Sequence, residues 1–486
     1  MRFFLTALFW FYCSMNSAGA TEIPSGPDFE PCRLTDTTNN NLYAECSTWH
    51  QPLDHEKPSG RTIELFVTKI PSTAIAPPKH ALSLINGGPG GSSIDLLVSI
   101  APILQQVSQH MDIIVLDQRG TGRSTALDCE NVSTDLDPDT NDLARETKKC
   151  LDSLAFSPVN FTTSVAVKDL ENLRIAMGYE QWDIYGTSYG TRVALHYLRR
   201  YETSVRSLTL DGVLPPSISM GSNIAIKSDS ALRTLFQNCS RDIDCNSAFP
   251  NLSDDFEALS KYLKENNVEL RLKHPITNEL TTKSVSYPDL ALIIRLSLYS
   301  PEMSSLLPLT IHSAFNEKDY TSIAVGAQAF EAGLLDAMSY GMHNAVMCTE
   351  DLPFLDPSEI SSNQGEETYL GDDFLSSMRS ICSAWPAGKI DNDFKLPILS
   401  NIPTLILSGE NDPITPPAYG NLLLNGLSNS IHLVGPHQGH GIMHRGCFTK
   451  IFSDFLSTTN VSELASTCIK HLPRVPFFIN SLGPAP

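Results

Sequence analysis

Ser188 stands at the centre of Gly186-Thr187-Ser188-Tyr189-Gly190, with glycine two positions to either side. A serine hydroxyl is a weak nucleophile at neutral pH until a base takes its proton. An imidazole does this best when a carboxylate fixes its tautomer. Asp412 and His440 are the candidates for those two roles. Asp412 follows the apolar run Pro403–Leu407, and His440 lies between Gly439 and Gly441 after Ser430–Val434. A tetrahedral oxyanion beside Ser188 would need N–H donors. The backbone groups of Gly88, in Asn86-Gly87-Gly88-Pro89-Gly90-Gly91-Ser92, and of Tyr189 are assigned to it.

Each assignment has a plainer alternative. G-x-S-x-G is short enough to arise by chance, and an incidental serine on an ordinary turn would read the same way. Asp412 could cap the turn before Pro413, and Glu410 could replace it as the acid. His437, His440 and His444 fall at i, i+3 and i+7, a metal-like spacing on a helix, but the intervening glycines weaken that helix. The glycine loop could simply be flexible; Pro89 stiffens it, and the lysine of a phosphate loop is missing.

The elements that must position these groups alternate along the chain. Strand-like runs occur at Thr62–Ile70, Ala81–Ile85, Ile113–Leu116, Trp182–Tyr185, Leu208–Leu210 and Thr404–Leu407, with helical patterns between several of them. Val193, Ala194, Tyr197 and Leu198 recur at helical spacing, so Ser188 sits on a strand-to-helix turn. This alternation predicts an α/β fold with a mostly parallel sheet, whose function gathers on the loops after the strands. Those loops include Asp117–Ser124, where Asp117 and Arg119 are expected to brace the site. Between Leu210 and Ile402 clear alternating strands are lacking, and helical stretches such as Asp254–Glu265, Tyr287–Leu298 and Ile323–Met338 predict an inserted helical lid. The expected division is a leader over 1–20, sheet core over 21–216, lid over 217–395 and sheet core again over 396–486.

The chain of 486 residues is 41% hydrophobic and 18% charged, which is ordinary globular composition. Its formal charge of −20 argues against nucleic acid or an anionic membrane as partner. Arg2, the apolar run Phe3–Met15 and Ala18-Gly19-Ala20 form the pattern of a secretory signal peptide cleaved after Ala20. An uncleaved anchor or a lipid on Cys13 is the competing reading, although Trp10-Phe11-Tyr12 is bulky for a lipid site. Removing the leader takes one of the 11 cysteines and leaves an even number in an oxidising compartment. Neighbours along the chain suggest Cys32–Cys46, Cys129–Cys150, Cys239–Cys245, Cys348–Cys382 and Cys447–Cys468. Metal binding is the alternative, and no C-x-x-C supports it.

With NGGPGGSS, DQRGTGRS, GTSYGT and GENDPITP followed by GHG, the chain resembles the secreted α/β-hydrolase serine exopeptidases related to tripeptidyl aminopeptidase and proline iminopeptidase. The chain order Ser, Asp, His is that of α/β-hydrolases, and differs from that of chymotrypsin-like and subtilisin-like proteases. The resemblance implies an α/β-hydrolase fold with a large inserted helical lid and a triad of Ser188, Asp412 and His440. It also implies an activity that removes residues or short peptides from free N-termini through an acyl-enzyme. Asn86 departs from the family, many members having histidine before the two glycines. Recognition of a substrate ammonium needs a partly buried carboxylate; the family has an acid in the cysteine-linked motif Met347–Asp351, making Glu350 the first candidate and Asp351 the second. No metal or organic cofactor is expected. A carboxylesterase or lipase, and a non-catalytic binding protein on the same fold, are the alternatives.

Overall fold

The computed structural model describes residues 26–36, 39–128, 140–273, 277–355 and 367–485. The expected signal peptide, Cys13 and Cys129 lie outside these residues. Among the described residues, no helix is long and apolar enough to cross a membrane.

The strands are β1 (Glu30–Thr35), β2 (Asn41–Pro52), β3 (Thr62–Ile70), β4 (His80–Ile85), β5 (Ile113–Leu116), β6 (Gln181–Thr187), β7 (Val205–Asp211), β8 (Val268–Lys273), β9 (Leu280–Val285), β10 (Thr404–Gly409) and β11 (Ser430–Gly435). Nine of them form one sheet in the order β1-β2-β3-β5-β4-β6-β7-β10-β11. β5, β4, β6, β7, β10 and β11 run parallel, while β1, β2 and β3 add an antiparallel edge. The inner parallel strands are covered on both faces, so they read as continuous apolar runs, as in Ile113-Ile114-Val115-Leu116. Alternation still divides them. Ile114 and Leu116 join Trp182, Ile184 and Leu208 on one face, and Ile113 and Val115 join Leu82, Leu84 and Leu405 on the other.

Helix α1 (Ser93–Ser108) lies on the second of these faces; α2 (Thr163–Met177) and α3 (Tyr189–Tyr201) lie on the first. Chain order reverses at β4: α1 leads to β5 on one side, and the next strand, β6, pairs on the other. This switch point sets the carboxyl ends of β4 and β6 next to each other, with Ile85 opposite Gly186. The glycine loop after β4 and Ser188 after β6 are therefore neighbours.

The segment between β7 and β10 carries helices over Ser222–Arg241, Leu252–Glu265, Tyr287–Ser297, Thr321–Ala337 and Asp373–Ala384. It has its own apolar core, including Leu232, Phe236, Leu259, Ile294 and Ile323. The sequence predicts a helical lid, and the structure corrects this in part: β8 and β9 pair as an antiparallel hairpin. The alternation of Val268, Leu270 and Leu272 with Glu269, Arg271 and Lys273 was the available signal. Cys32–Cys46, Cys239–Cys245, Cys348–Cys382 and Cys447–Cys468 are disulfide-bonded.

Candidate active site

Ser188 leaves β6 with φ 54° and ψ −126°, outside the comfortable regions for a residue bearing a Cβ, and α3 begins at the next residue. Its N–H donates to the Asp211 carbonyl at the end of β7 (2.9 Å). The flanking glycines are dictated by contact. A Cβ on Gly186 would stand 2.5 Å from the Gly190 carbonyl oxygen, and one on Gly190 would stand 2.3 Å from that of Ile85. Gly87 is equally constrained, since its Cβ would come within 2.6 Å of Ser188 Cβ.

The glycine loop after β4 is tied down by its neighbours. Asn86 Oδ1 accepts from Gly87 N–H (2.7 Å), and Asn86 Nδ2 donates to the Ser92 carbonyl (2.8 Å). Buried Asp117 accepts from Ser92 Oγ (2.9 Å), Ile94 N–H (3.0 Å) and Arg123 N–H (2.8 Å), as the bracing role anticipated. Arg119 is also an internal brace: its guanidinium grips Asp169 (2.6 and 2.8 Å) and three backbone carbonyls. With Gly87 N–H occupied, the N–H groups of Gly88 and Tyr189 donate to no other group among the described residues.

Asp412 follows β10 and His440 follows β11, both at the sheet end that carries Ser188. His440 Nδ1 donates to Asp412 Oδ2 (2.8 Å). The remaining acceptor sites of Asp412 are filled by Ile414 N–H (2.9 Å), Thr415 N–H (2.8 Å) and Thr415 Oγ1 (2.8 Å). The lid reaches this loop: His440 N–H donates to the Tyr299 carbonyl (2.9 Å), and the Tyr299 ring meets the imidazole edge-on at 5.1 Å. Ser188 Oγ makes no hydrogen bond among the described residues, so the contact between serine and imidazole is open here. Such contacts often tighten only around substrate. Glu410, the rival acid, is exposed and accepts from His437 N–H (2.8 Å), away from His440. Among the described residues, no three His, Cys, Asp or Glu side chains gather as a metal site.

Glu350 and Asp351 are placed differently from a carboxylate lining a substrate channel, because both are fully buried. Asp351 forms a two-toothed ion pair with Arg192 of α3 (2.9 Å at each oxygen) and also accepts from Met220 N–H (2.9 Å). Glu350 accepts from Thr163 N–H (2.7 Å) and Thr163 Oγ1 (2.8 Å). Each acid is thus committed to protein donors, and neither presents a surface to an ammonium group.

The family described as "alpha/beta hydrolase fold" matches residues 81–237, and "TAP-like protein" matches residues 367–468. The chain has an α/β-hydrolase fold, with a C-terminal part similar to the TAP-like family. It is 24% identical over 428 residues to serine protease Hip1 of Mycobacterium tuberculosis, spanning 80% of each chain. It is 25% identical over 446 residues to carboxylesterase B of the same species, spanning 82% of each. Tripeptidyl aminopeptidase of Streptomyces coelicolor is 26% identical over 219 residues, which cover 41% of this chain and 40% of that one.

Electrostatics in this hydrolase suit a poised imidazole. Burial disfavours the charged form of His440, but the Asp412 carboxylate and its hydrogen bond, with Asp211 behind them, prevail and raise its pKa above the ordinary value. Burial also opposes ionisation of Asp412, and here the His440 partner and the N–H groups of Thr415 and Ile414 prevail, lowering its pKa. Sequence reasoning missed Asp211. Its carboxylate takes Ile442 N–H (2.9 Å), Met443 N–H (2.9 Å) and Tyr185 Oη–H (3.0 Å), anchoring the loop that bears His440. Its position at the end of β7, beside the strand that leads into Ser188, was the signal. It also missed Thr415 and Tyr299, for which the sequence offers no comparable cue.

Proposed function

We propose that this hydrolase is an exported serine aminopeptidase that cleaves peptides near a free N-terminus, with Ser188, His440 and Asp412 as its triad. The observation that carries the reading is the 2.8 Å bond from His440 Nδ1 to Asp412 Oδ2, at the sheet end where Ser188 projects from a strained turn. Ser188 Oγ attacks the scissile carbonyl while His440 Nε2 takes its proton. The oxyanion is received by the Gly88 and Tyr189 N–H groups. Collapse passes the proton to the leaving amine, and water, deprotonated by His440, hydrolyses the acyl-enzyme. The likeness to a serine protease and to a tripeptidyl aminopeptidase supports the peptidase class, and the four disulfides seen among the described residues agree with export.

Carboxylesterase is the second reading, favoured by the burial of Glu350 and Asp351 and by the likeness to carboxylesterase B. Turnover of one-, two- and three-residue chromogenic peptides, each with a free or acetylated N-terminus, separates the two. The aminopeptidase reading expects acetylation to remove most activity and one peptide length to dominate. Esters cleaved faster than every peptide, with no effect of acetylation, would establish the esterase.

A further inference from the structure

Tyr189 supplies one proposed oxyanion donor from its backbone, while its side chain is buried and held at the far end. Tyr189 Oη lies 2.6 Å from Thr163 Oγ1 and accepts from Gln118 Nε2 (3.3 Å). Thr163 Oγ1 in turn donates to Glu350 Oε2 (2.8 Å), and Thr163 N–H fixes Glu350 Oε1 (2.7 Å). A carboxylate only accepts, so the chain has one polarity: Tyr189 O–H to Thr163 O–H to Glu350. Glu350 belongs to the lid segment Met347–Asp351, which the Cys348–Cys382 disulfide ties to the helix Asp373–Ala384. The next residue, Asp351, holds Arg192 one turn along α3.

We infer that Glu350 is a positioning residue: through Thr163 it fixes the Tyr189 side chain, and so aims the Tyr189 backbone N–H at the oxyanion formed beside Ser188. The inference rests on the reading of Ser188 as nucleophile and replaces an ammonium-binding role for Glu350. Burial raises the Glu350 pKa to about 7, opposed by Arg192 and by the Thr163 hydrogen bonds and reinforced by Asp351; Lys395 and Tyr189 are the other titratable groups in its field. A protonated Glu350 that donates to Thr163 Oγ1 removes the acceptor at the end of the chain and leaves one of the two hydroxyl protons, of Thr163 or of Tyr189, without a partner. The amide of Glu350→Gln does the same at every pH.

The test measures kcat and KM for p-nitrophenyl acetate in Glu350→Gln, Tyr189→Phe and the double variant, with Ser188→Ala as control and urea unfolding alongside. Glu350→Gln is expected to lower kcat by roughly ten- to a hundredfold with KM changed by less than about twofold, the behaviour of a misaimed oxyanion donor. The double variant should be no slower than Glu350→Gln, because both changes break one chain. Stability should move the other way. A carboxyl with a raised folded pKa loses its advantage as pH rises from 4.5 through about 7, so Glu350→Gln gains stability relative to the parent across that window. An unaltered ester kcat in Glu350→Gln, effects that multiply in the double variant, or a loss confined to the KM of peptides with a free N-terminus would each overturn the inference. Ester turnover that survives Ser188→Ala would instead overturn the site reading beneath it, and the inference with it.

Discussion

His440 carries the pH dependence of the proposed chemistry. Only its neutral form accepts the Ser188 proton, and its pKa is raised, so kcat/KM should fall as pH drops through a value above the ordinary 6.5. A profile flat to about pH 4 would exclude His440 as the base. Asp412→Asn reverses the donor at Asp412 Oδ2 and so favours the wrong imidazole tautomer. The expected cost is about four orders of magnitude in kcat with little change in KM, read by steady-state kinetics. Gly87→Ala is the steric test. The new Cβ would meet Ser188 Cβ at 2.6 Å, so serine or loop must shift, and labelling of Ser188 by a fluorophosphonate should slow sharply while the protein stays folded. Ser188, Asp412 and His440 were legible as candidates because each is a particular residue type within two positions of glycine or proline after an apolar run. The surroundings of Glu350 and Asp351 were not legible, because a sequence shows that acids are present but not whether buried donors already occupy them.

Among the elements, α3 is cross-linked to the lid by a buried ion pair. Arg192 and Asp351 are both fully buried, and their two-toothed pair joins α3 to the lid segment Met347–Asp351. Removing one charge strands the other in a poorly solvated site. Asp351→Leu should therefore destabilise the fold by about 3–5 kcal/mol in urea titrations, and Arg192→Met combined with Asp351→Leu by less. Equal losses in the single and double variants would show that the pair itself is not what holds α3. The inner strands β4, β5, β6, β7 and β10 were readable as short apolar runs, since a parallel sheet covered on both faces demands them. β1 and β2 were not, because an antiparallel edge with one face in water mixes polar and apolar residues, as in Glu30-Pro31-Cys32-Arg33-Leu34-Thr35.

At the scale of the molecule, two apolar layers sandwich the sheet, and the lid adds a third core of its own. The Cys348–Cys382 disulfide, closing a separation of 34 residues, secures the part of the lid that reaches α3. Chain-entropy reasoning expects Cys348→Ser with Cys382→Ser to cost about 2–4 kcal/mol, near the loss from opening Cys447–Cys468. The two should differ in activity, kcat falling much further for the first pair, because Glu350 and Asp351 sit beside Cys348. Equal kcat losses would sever that link. By itself, the sequence determined the α/β class, the long insertion and the residue types that could form a triad, since periodicity and turn chemistry are local properties. Only the tertiary structure decided which acids are spent on protein partners, that Asp211 anchors the His440 loop, and that Tyr189 is tied through Thr163 to the lid. Those facts depend on which donors and acceptors meet across long separations in sequence, and packing alone sets that.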